Sequence, residues 1–344
     1  MTRDDALRAE AGKRILVKDG AYGTAVQAFR LAEADYRGAY ELKRDQKGNN
    51  DLLCLTRPDL MADICTRYAE AGADVFGTNS FNANVISQAD YGAEHLVDDI
   101  NVAAARIVRE VADRYADRDG RPRFVCGALG PTNKTLSLSP DVNDPGYREV
   151  DFDFVSQVYA QQAAALVEGG ADFILIETVF DTLNAKAAIH GVRSLGGHLP
   201  IMLSMTLTDL SGRNLSGHSI EAFWASVRHA RPLTIGLNCS FGADQLRPHI
   251  ATLSGIADTL LMAYPNAGLP NDLGEYDEEP GTTAAYIREW ADRRQINIVG
   301  GCCGTTPAHI RAIADAVAGM RPRAVAAKPV LTQLAGLDPM ILAA

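Results

Sequence analysis

The sequence predicts a single α/β domain, and three observations lead to this expectation. Short apolar runs rich in β-branched residues, bounded by Gly, Pro, Asn or Asp, recur eight times along the 344 residues. Stretches with apolar residues three or four positions apart separate these runs and are typical of amphipathic helices. The runs are apolar on both faces, as parallel strands covered by helices are. Eight such units predict a (β/α)8 barrel, the TIM barrel fold.

The predicted elements alternate in order along the chain. The strands are residues 15–18, 73–76, 124–127, 173–176, 201–204, 233–236, 259–262 and 296–299. The helices between them include residues 97–115, 152–168, 182–192, 220–229 and 307–318. An open doubly wound sheet is an alternative. However, the turn at residues 19–24 lacks the G-x-G-x-x-G spacing, so nucleotide binding has no support.

The domain boundaries follow from where this rhythm stops. Residues 1–320 are predicted to form the barrel. Residues 321–344 carry Pro, Ala and Leu without a further strand and helix, which predicts a docked C-terminal extension or a linker stub.

Composition excludes several classes of function. The 33 Lys and Arg residues against 43 Asp and Glu give a net charge of −10, so we expect neither nucleic acid nor an anionic membrane as a partner. The charged start of the sequence and the lack of a bilayer-length apolar run predict a cytoplasmic protein. In that reducing compartment, a cluster among the six cysteines indicates metal binding or catalysis rather than disulfides.

Polar segments follow seven of the eight predicted strands. They are residues 19–20, 77–80, 130–132, 177–178, 238–240, 265–268 and 300–304. Active sites of such barrels are built at the carboxyl ends of the strands, so these segments are expected to meet on one rim. Asp19 and Glu177 end the first and fourth strands, where each can cap a helix or bind a cationic amine.

Three cysteines share this rim, since Cys239 follows the sixth strand and Cys302 and Cys303 follow the eighth. Catalytic zinc sites use three protein ligands and leave the fourth position open, which matches this count. Flanking glycines allow the backbone to turn both neighbouring thiols toward one ion. The alternative is a buried apolar Cys239 with an inert or oxidised Cys302–Cys303 pair. The remaining cysteines, Cys54, Cys65 and Cys126, are predicted to lie in the core.

These segments resemble a known family. Residues 236–239 (GLNC) and 300–305 (GGCCGT) resemble the paired zinc motifs of the homocysteine S-methyltransferase family. Residues 19–24, 49–53, 78–84 and 130–134 are similar to the homocysteine-binding module of cobalamin-dependent methionine synthases, more than to betaine-dependent members. Residues 331–339 resemble the stretch that leads from this module to the folate-binding module.

The resemblance implies a particular metal and substrate site. It implies a zinc ion held by Cys239, Cys302 and Cys303, with the thiolate of L-homocysteine as fourth ligand. It implies contacts to the amino acid head group from Asp19, Gly20, Thr78 and Glu177. Asn266 is expected to fill the open zinc position when substrate is absent.

The expected function is methyl transfer to homocysteine, giving methionine. The expected donor is methylcobalamin on a separate protein or on modules that this chain lacks, with 5-methyltetrahydrofolate as the ultimate donor. Whether the chain is a naturally split subunit or a fragment stays open. One alternative is a corrinoid-independent enzyme using S-methylmethionine, S-adenosylmethionine or betaine. Another is a non-catalytic homocysteine- or zinc-binding module.

Overall fold

Eight parallel strands form the centre of the molecule and confirm the predicted (β/α)8 barrel. The computed structural model describes residues 2–329 and 331–342. The strands are β1 Leu16–Val17, β2 Val75–Gly77, β3 Phe124–Leu129, β4 Phe173–Val179, β5 Ile201–Met205, β6 Thr234–Gly242, β7 Leu260–Asn266 and β8 Ile298–Val299. They pair in the order β1-β8-β7-β6-β5-β4-β3-β2. A parallel bridge between Lys18 and Val75 joins the two ends, so the sheet closes on itself.

The helices surround the strands. They are α1 Arg3–Lys13, α2 Tyr22–Gln27, α3 Glu33–Arg37, α4 Leu53–Thr56, α5 Pro58–Glu70, α6 Val85–Gln88, α7 Val97–Asp119, α8 Phe152–Glu168, α9 Thr182–Ser194, α10 Ile220–Val227, α11 Ala243–Ile256, α12 Pro280–Asp292 and α13 Pro307–Val317. All five stretches predicted as helices are helical, although the fourth ends earlier and continues as the 3₁₀ helix Arg228–Ala230. In the described part of the chain, no helix combines the length and apolarity needed to cross a membrane.

Six of the eight strands extend further than predicted at the carboxyl end of the barrel, and two of them are irregular there. β4 continues to Val179 and β6 to Gly242, and both contain a register shift there. Polar segments predicted to follow the strands therefore lie within them. Sequence patterns set the strand bodies, but a bulge depends on how the neighbouring strand pairs.

The core has two layers, one inside the barrel and one between the strands and the helices. Along β1, Leu16 packs in the interior and Val17 packs against the helical layer. This alternation is the period of two that a strand imposes. It means that side chains two residues further along each strand also point into the barrel, where they face the carboxyl end.

The amino end of the barrel is closed by α1, which the sequence analysis did not predict. Leu7 and Ala11 of α1 are fully buried against the interior side chains of the strands. Beside them, the buried Asp74 contacts Arg14 at 2.7 Å and Arg121 at 2.6 Å. Helix packing and ion pairs therefore exclude water from this end.

The predicted C-terminal extension contains a β-hairpin, β9 Thr332–Ala335 and β10 Pro339–Leu342. The carbonyl oxygen of Leu337 accepts a hydrogen bond from the Ser219 N–H at 2.9 Å, and Asp338 pairs with Arg213 at 2.9 Å. The described part of the extension is thus docked on the barrel near α10. The boundary at residue 320 stays a prediction. Residue 1 of the predicted barrel and residues 330, 343 and 344 of the predicted extension lie outside the described residues.

Candidate active site

A cavity of about 230 Å³ opens at the carboxyl end of the barrel. The structure brings seven of the eight predicted site residues together in its lining: Asp19, Gly20, Thr78, Glu177, Cys239, Cys302 and Cys303. The eighth, Asn266, is buried at the end of β7 and does not line the cavity.

The three cysteines form a compact cluster at one side of this cavity. The Sγ atom of Cys239 lies 3.1 Å from Sγ of Cys302 and 3.6 Å from Sγ of Cys303. All three sulfurs lie within 4.8 Å of one another. The spacing is too long for a disulfide, which needs about 2.05 Å.

Unusual backbone conformations turn these thiols toward each other. Cys239 and Ser240 adopt φ values of 55° and 62°, at the register shift of β6. Positive φ is uncommon for residues other than glycine and persists where the surroundings enforce it. On the other segment, Gly304 has φ of 79°, and a Cβ atom there would overlap Tyr276. The glycine next to the cysteine pair is therefore required by the fold.

Hydrogen bonds fix the Cys302–Cys303 segment against β7. The Cys302 N–H donates to the Pro265 carbonyl at 2.7 Å, and the Ala267 N–H donates to the Cys303 carbonyl at 2.9 Å. From β6, the Asn238 side chain reaches toward Cys302, with 4.0 Å between Nδ2 and Sγ. The thiols are thus held on a rigid framework before any ligand binds.

The cluster fits a zinc ion. Tetrahedral zinc with Zn–S bonds of about 2.3 Å separates its sulfurs by about 3.8 Å, close to the spacing seen here. Hydrogen bonds with Cys239 and Cys302 lower the pKa of Cys303 to about 3, whereas those that Cys302 makes with Cys239 and Cys303 raise the pKa of Cys302 well above its usual value. The protein alone therefore leaves the cluster short of three thiolates, and a dication is the partner that would complete the ionisation.

Asn266 has a buried side-chain oxygen that can be tested against the same hypothesis. Its Oδ1 atom is buried, and within the described residues it accepts no hydrogen bond. A buried acceptor without a partner is costly unless an ion or another donor satisfies it. The three cysteines therefore fit a metal centre, and Asn266 at the end of β7 has a buried oxygen that could accept a further contact.

Two carboxylates, from Asp19 and Glu177, also line the cavity. The Asp19 carboxylate receives the Lys18 ammonium at 2.7 Å and the Gly77 N–H at 2.9 Å. Glu177 accepts a hydrogen bond from the Tyr264 hydroxyl at 2.9 Å. Burial raises the pKa of both carboxyl groups, although Lys18 opposes this effect at each of them.

Gly20 and Thr78 complete the predicted contacts. A Cβ atom on Gly20 would lie 2.7 Å from the Tyr68 ring, so only glycine fits at this close approach. The Thr78 hydroxyl lies 2.6 Å from Ser80 Oγ and accepts the Ala128 N–H at 2.8 Å. Because Ser80 donates to the Ala128 carbonyl, Thr78 is the donor to Ser80 and retains one lone pair for an ammonium group.

The sequence analysis did not assign several polar residues of the cavity to the site, among them Lys18, Asp51 and Tyr264. A lysine at a strand end is normally solvated, and a tyrosine in an apolar strand normally belongs to the core. Neither Lys18 nor Tyr264 was therefore assigned to the site. The alternation of side chains along a strand could have identified Lys18, because it lies two residues after the inward-facing Leu16. Cys54, Cys65 and Cys126 are buried, as predicted.

Comparison with known proteins identifies the family of this chain. The sequence model of the family described as homocysteine S-methyltransferase matches residues 16–317, which include every residue of the site. Two solved structures of the homocysteine methyltransferase MmuM from Escherichia coli share the fold. The oxidized form has 21% identity and the metallated form 22%. In both, the match covers 90% of this chain and 99% of the other, with a TM-score of 0.72. The family match spans most of the chain, which therefore belongs to the homocysteine S-methyltransferase family.

Proposed function

We propose that this protein transfers a methyl group to the thiolate of L-homocysteine on a zinc ion, giving methionine. The observation that carries the proposal is the placement of three cysteine sulfurs within 4.8 Å of one another beside a cavity that also contains Asp19 and Glu177. The cysteines can hold a metal and the carboxylates can hold the ammonium group of an amino acid. A substrate with a thiol at one end and an amino acid head at the other fits both.

Cys239, Cys302 and Cys303 are proposed to hold the ion with their thiolates. A bound zinc ion lowers the pKa of a further thiol from about 8.5, so that its sulfur is deprotonated at neutral pH. Asn266 lies at the end of β7 and supplies the amide oxygen proposed to occupy the open position before substrate arrives.

The cavity residues orient the amino acid head. Asp19 and Glu177 accept hydrogen bonds from the ammonium group, and Thr78 offers its free lone pair. The close packing of Gly20 on Tyr68 leaves backbone, rather than a side chain, next to the substrate. Fixing the head places the sulfur for an in-line displacement, in which the S–C bond forms as the donor–C bond breaks and the electron pair stays with the donor.

Methylcobalamin on a separate protein or module is the proposed donor, which makes the chain the homocysteine-activating component of a methionine synthase. The similarity of residues 78–84 and 331–339 to the cobalamin-dependent enzymes supports this choice. The folate-binding partner, with 5-methyltetrahydrofolate as ultimate methyl source, belongs to the same proposal.

A small cationic donor is the second candidate, because the cavity is acidic. Its lining contains three carboxylates, from Asp19, Asp51 and Glu177, against the single ammonium of Lys18. S-Methylmethionine, S-adenosylmethionine and betaine all carry a positive charge on the atom that bears the methyl group. An excess of buried negative charge favours ligands of this type.

One assay separates these possibilities. Zinc-loaded protein is mixed with homocysteine and either free methylcobalamin or each small donor, and methionine is measured by mass spectrometry. Turnover with methylcobalamin supports the first donor, whereas turnover only with a sulfonium or betaine supports the second. Homocysteine binding without turnover on any donor would refute methyl transfer by the isolated chain and favour a binding module. The Cys302→Ala variant serves as the control without a complete metal site.

Coordination of the substrate sulfur has its own test. Homocysteine binding should release about one proton near neutral pH, as a thiol becomes a metal-bound thiolate. Calorimetry in buffers of different ionisation enthalpy counts this proton. Tight binding with no proton released would show that the sulfur does not reach the metal.

A further inference from the structure

The floor of the cavity is a polar layer on top of the apolar barrel interior. Lys18, Glu177 and Tyr264 each follow by two residues an interior side chain on the same strand, so all three point inward at the carboxyl end. Each also lines the cavity. A lysine in this layer is unusual, since its ammonium group is rarely buried without a partner.

Lys18 links the two carboxylates of the site. Its side chain is 7% exposed, and its Nζ atom lies 2.7 Å from Asp19 Oδ1. The same Nζ lies 4.7 Å from the centroid of the Tyr264 ring, within the range of a cation–π contact. The Tyr264 hydroxyl in turn donates to Glu177. A continuous chain of contacts therefore runs from Asp19 through Lys18 and Tyr264 to Glu177.

Gly77 packs directly against the Lys18–Asp19 ion pair. A Cβ atom at Gly77 would lie 3.5 Å from Lys18 Nζ and 3.8 Å from Asp19 Oδ1, so a longer side chain would compete with the ion pair for space. The Gly77 N–H meanwhile holds the other carboxylate oxygen of Asp19. Both oxygens of Asp19 are thus fixed, each from a different strand.

Charge in this layer is left incomplete. Asp19 and Glu177 contribute two negative charges, and Lys18 contributes one positive charge. Burial opposes the ammonium form of Lys18, but the two carboxylates outweigh it and raise its pKa above the usual value, so Lys18 stays a cation rather than a nucleophile. When both acids are ionised, one negative charge is left for the ammonium group of an amino acid, and this group in turn favours the charged form of the acids.

We infer that Lys18 is a positioning residue that selects thiols bearing an ammonium group. It fixes the Asp19 carboxylate and couples it through Tyr264 to Glu177, so that both acids face the substrate head in one preset geometry. This inference rests on the proposed function, in which homocysteine is the thiol substrate. Lys18 does not touch the reacting sulfur, so its effect falls on the binding of the head group.

The experiment compares two thiols on the zinc-loaded protein by calorimetry. Homocysteine has the amino acid head, and 1-propanethiol does not. The Lys18→Met variant should weaken homocysteine binding by about tenfold to a hundredfold, because Asp19 loses the partner that fixes it and both acids lose the cation that favours their charged form. It should leave propanethiol affinity and zinc content unchanged. Lys18→Arg should recover part of the loss, because it retains the charge. Lys43→Met, at an exposed position, is the matched control.

A double-mutant cycle identifies the route of the effect. If Lys18 acts through Asp19, the variant with both Lys18→Met and Asp19→Asn should bind homocysteine no more weakly than Asp19→Asn alone. This double variant also removes both buried charges, so it provides the measurement if Lys18→Met alone fails to fold.

Two results would overturn the inference. Equal weakening of homocysteine and propanethiol by Lys18→Met would show a merely structural role, and additive losses in the cycle would show that Lys18 does not act through Asp19. Failure of the parent protein to bind homocysteine at all would instead refute the proposed function.

Discussion

Each end of the barrel buries an aspartate, but the charged side chains around the two aspartates differ. At the amino end, Asp74 is 0% exposed and contacts two guanidinium groups, from Arg14 and Arg121. At the carboxyl end, Asp19 is also 0% exposed, but it has one ammonium partner, Lys18, in a layer that contains Glu177 as well. The first aspartate is fully compensated, and the second belongs to a layer with surplus negative charge.

Backbone geometry also differs: at the amino end, Arg231 and Arg294 adopt positive φ in turns between a helix and the next strand, whereas at the carboxyl end positive φ occurs within the strands themselves. Thr178, Cys239 and Ser240 adopt positive φ at the carboxyl ends of β4 and β6, where both strands shift register. Such conformations cost free energy and are typical of functional sites. This contrast supports the proposal that the carboxyl end binds ligands, whereas the amino end stabilises the fold. Substitutions at the two ends should therefore affect different measurements.

The largest effect is expected from the cysteine cluster. Replacing Cys239, Cys302 or Cys303 with Ala should remove most of the zinc and reduce activity by about a thousandfold or more, because three ligands define the site. The barrel should remain folded, since the cluster lies at the rim. Elemental analysis, activity and circular dichroism measure these outcomes.

Cys65→Ala is the matched control, because Cys65 is fully buried in the core. It should lower the thermal midpoint and leave zinc bound. Unfolding of all three rim variants would make the metal structural and would erase the proposed difference between the two ends.

Asp74→Asn, at the amino end, should lower the stability of the fold and leave ligand binding unchanged. Loss of the carboxylate leaves Arg121 without this partner and Arg14 with only its contact to Glu10 at 3.5 Å, which we expect to lower the free energy of unfolding by about 2–4 kcal/mol. Homocysteine affinity of the zinc-loaded protein should not change. Denaturant unfolding and calorimetry test the two statements.

Asp63→Asn is its control, because the Asp63 pair with Arg67 is exposed and such pairs contribute about 0–1 kcal/mol. A change in homocysteine affinity with Asp74→Asn would show that the two ends are not independent.

The amino-acid pattern was sufficient to predict the strand bodies and the clustering of Cys239, Cys302 and Cys303. Apolar runs define the strands, and the common direction of parallel strands brings their carboxyl ends to one rim. It was not sufficient for details that depend on pairing between distant segments. The positive φ at Cys239 arises at a register shift between β6 and β7, which no local pattern specifies.

Two further omissions have similar causes. Helix α1 is rich in charged residues and buries only Leu7 and Ala11, so its apolar signal is weak. Lys18 was interpreted only as the end of a strand. Its burial could not be predicted from the local pattern, because it depends on contacts with Asp19, Glu177 and Gly77. Helix packing at one end and charge pairing at the other are tertiary effects.

The head-group carboxylates should give the next largest effect. Asp19→Asn or Glu177→Gln should weaken homocysteine binding by roughly tenfold to a hundredfold, as expected when a contact of about 1.5–3 kcal/mol is lost. Zinc content and the affinity for an alkanethiol should not change, since neither involves the ammonium group. Parent-like homocysteine binding in both variants, or loss of zinc with affinity, would reassign these carboxylates to a structural role.

The smallest effect is expected at Asp51, the third carboxylate of the cavity. Asp51 is 4% exposed and accepts one hydrogen bond from the Asn82 N–H at 3.0 Å, and burial raises its pKa from 3.8 to about 7. Because the folded state then binds a proton that the unfolded state has already released, stability falls as the pH rises through about 7. Between about pH 6 and about pH 8 this group should cost about 1 kcal/mol of unfolding free energy.

The Asp51→Asn variant keeps a hydrogen-bond acceptor but cannot ionise, so that part of the pH dependence should disappear. The control variant Asp45→Asn, at an exposed position, should leave it intact. Denaturant unfolding across this range measures the slope, and an unchanged slope in Asp51→Asn would show that its carboxylate is compensated like that of Asp74.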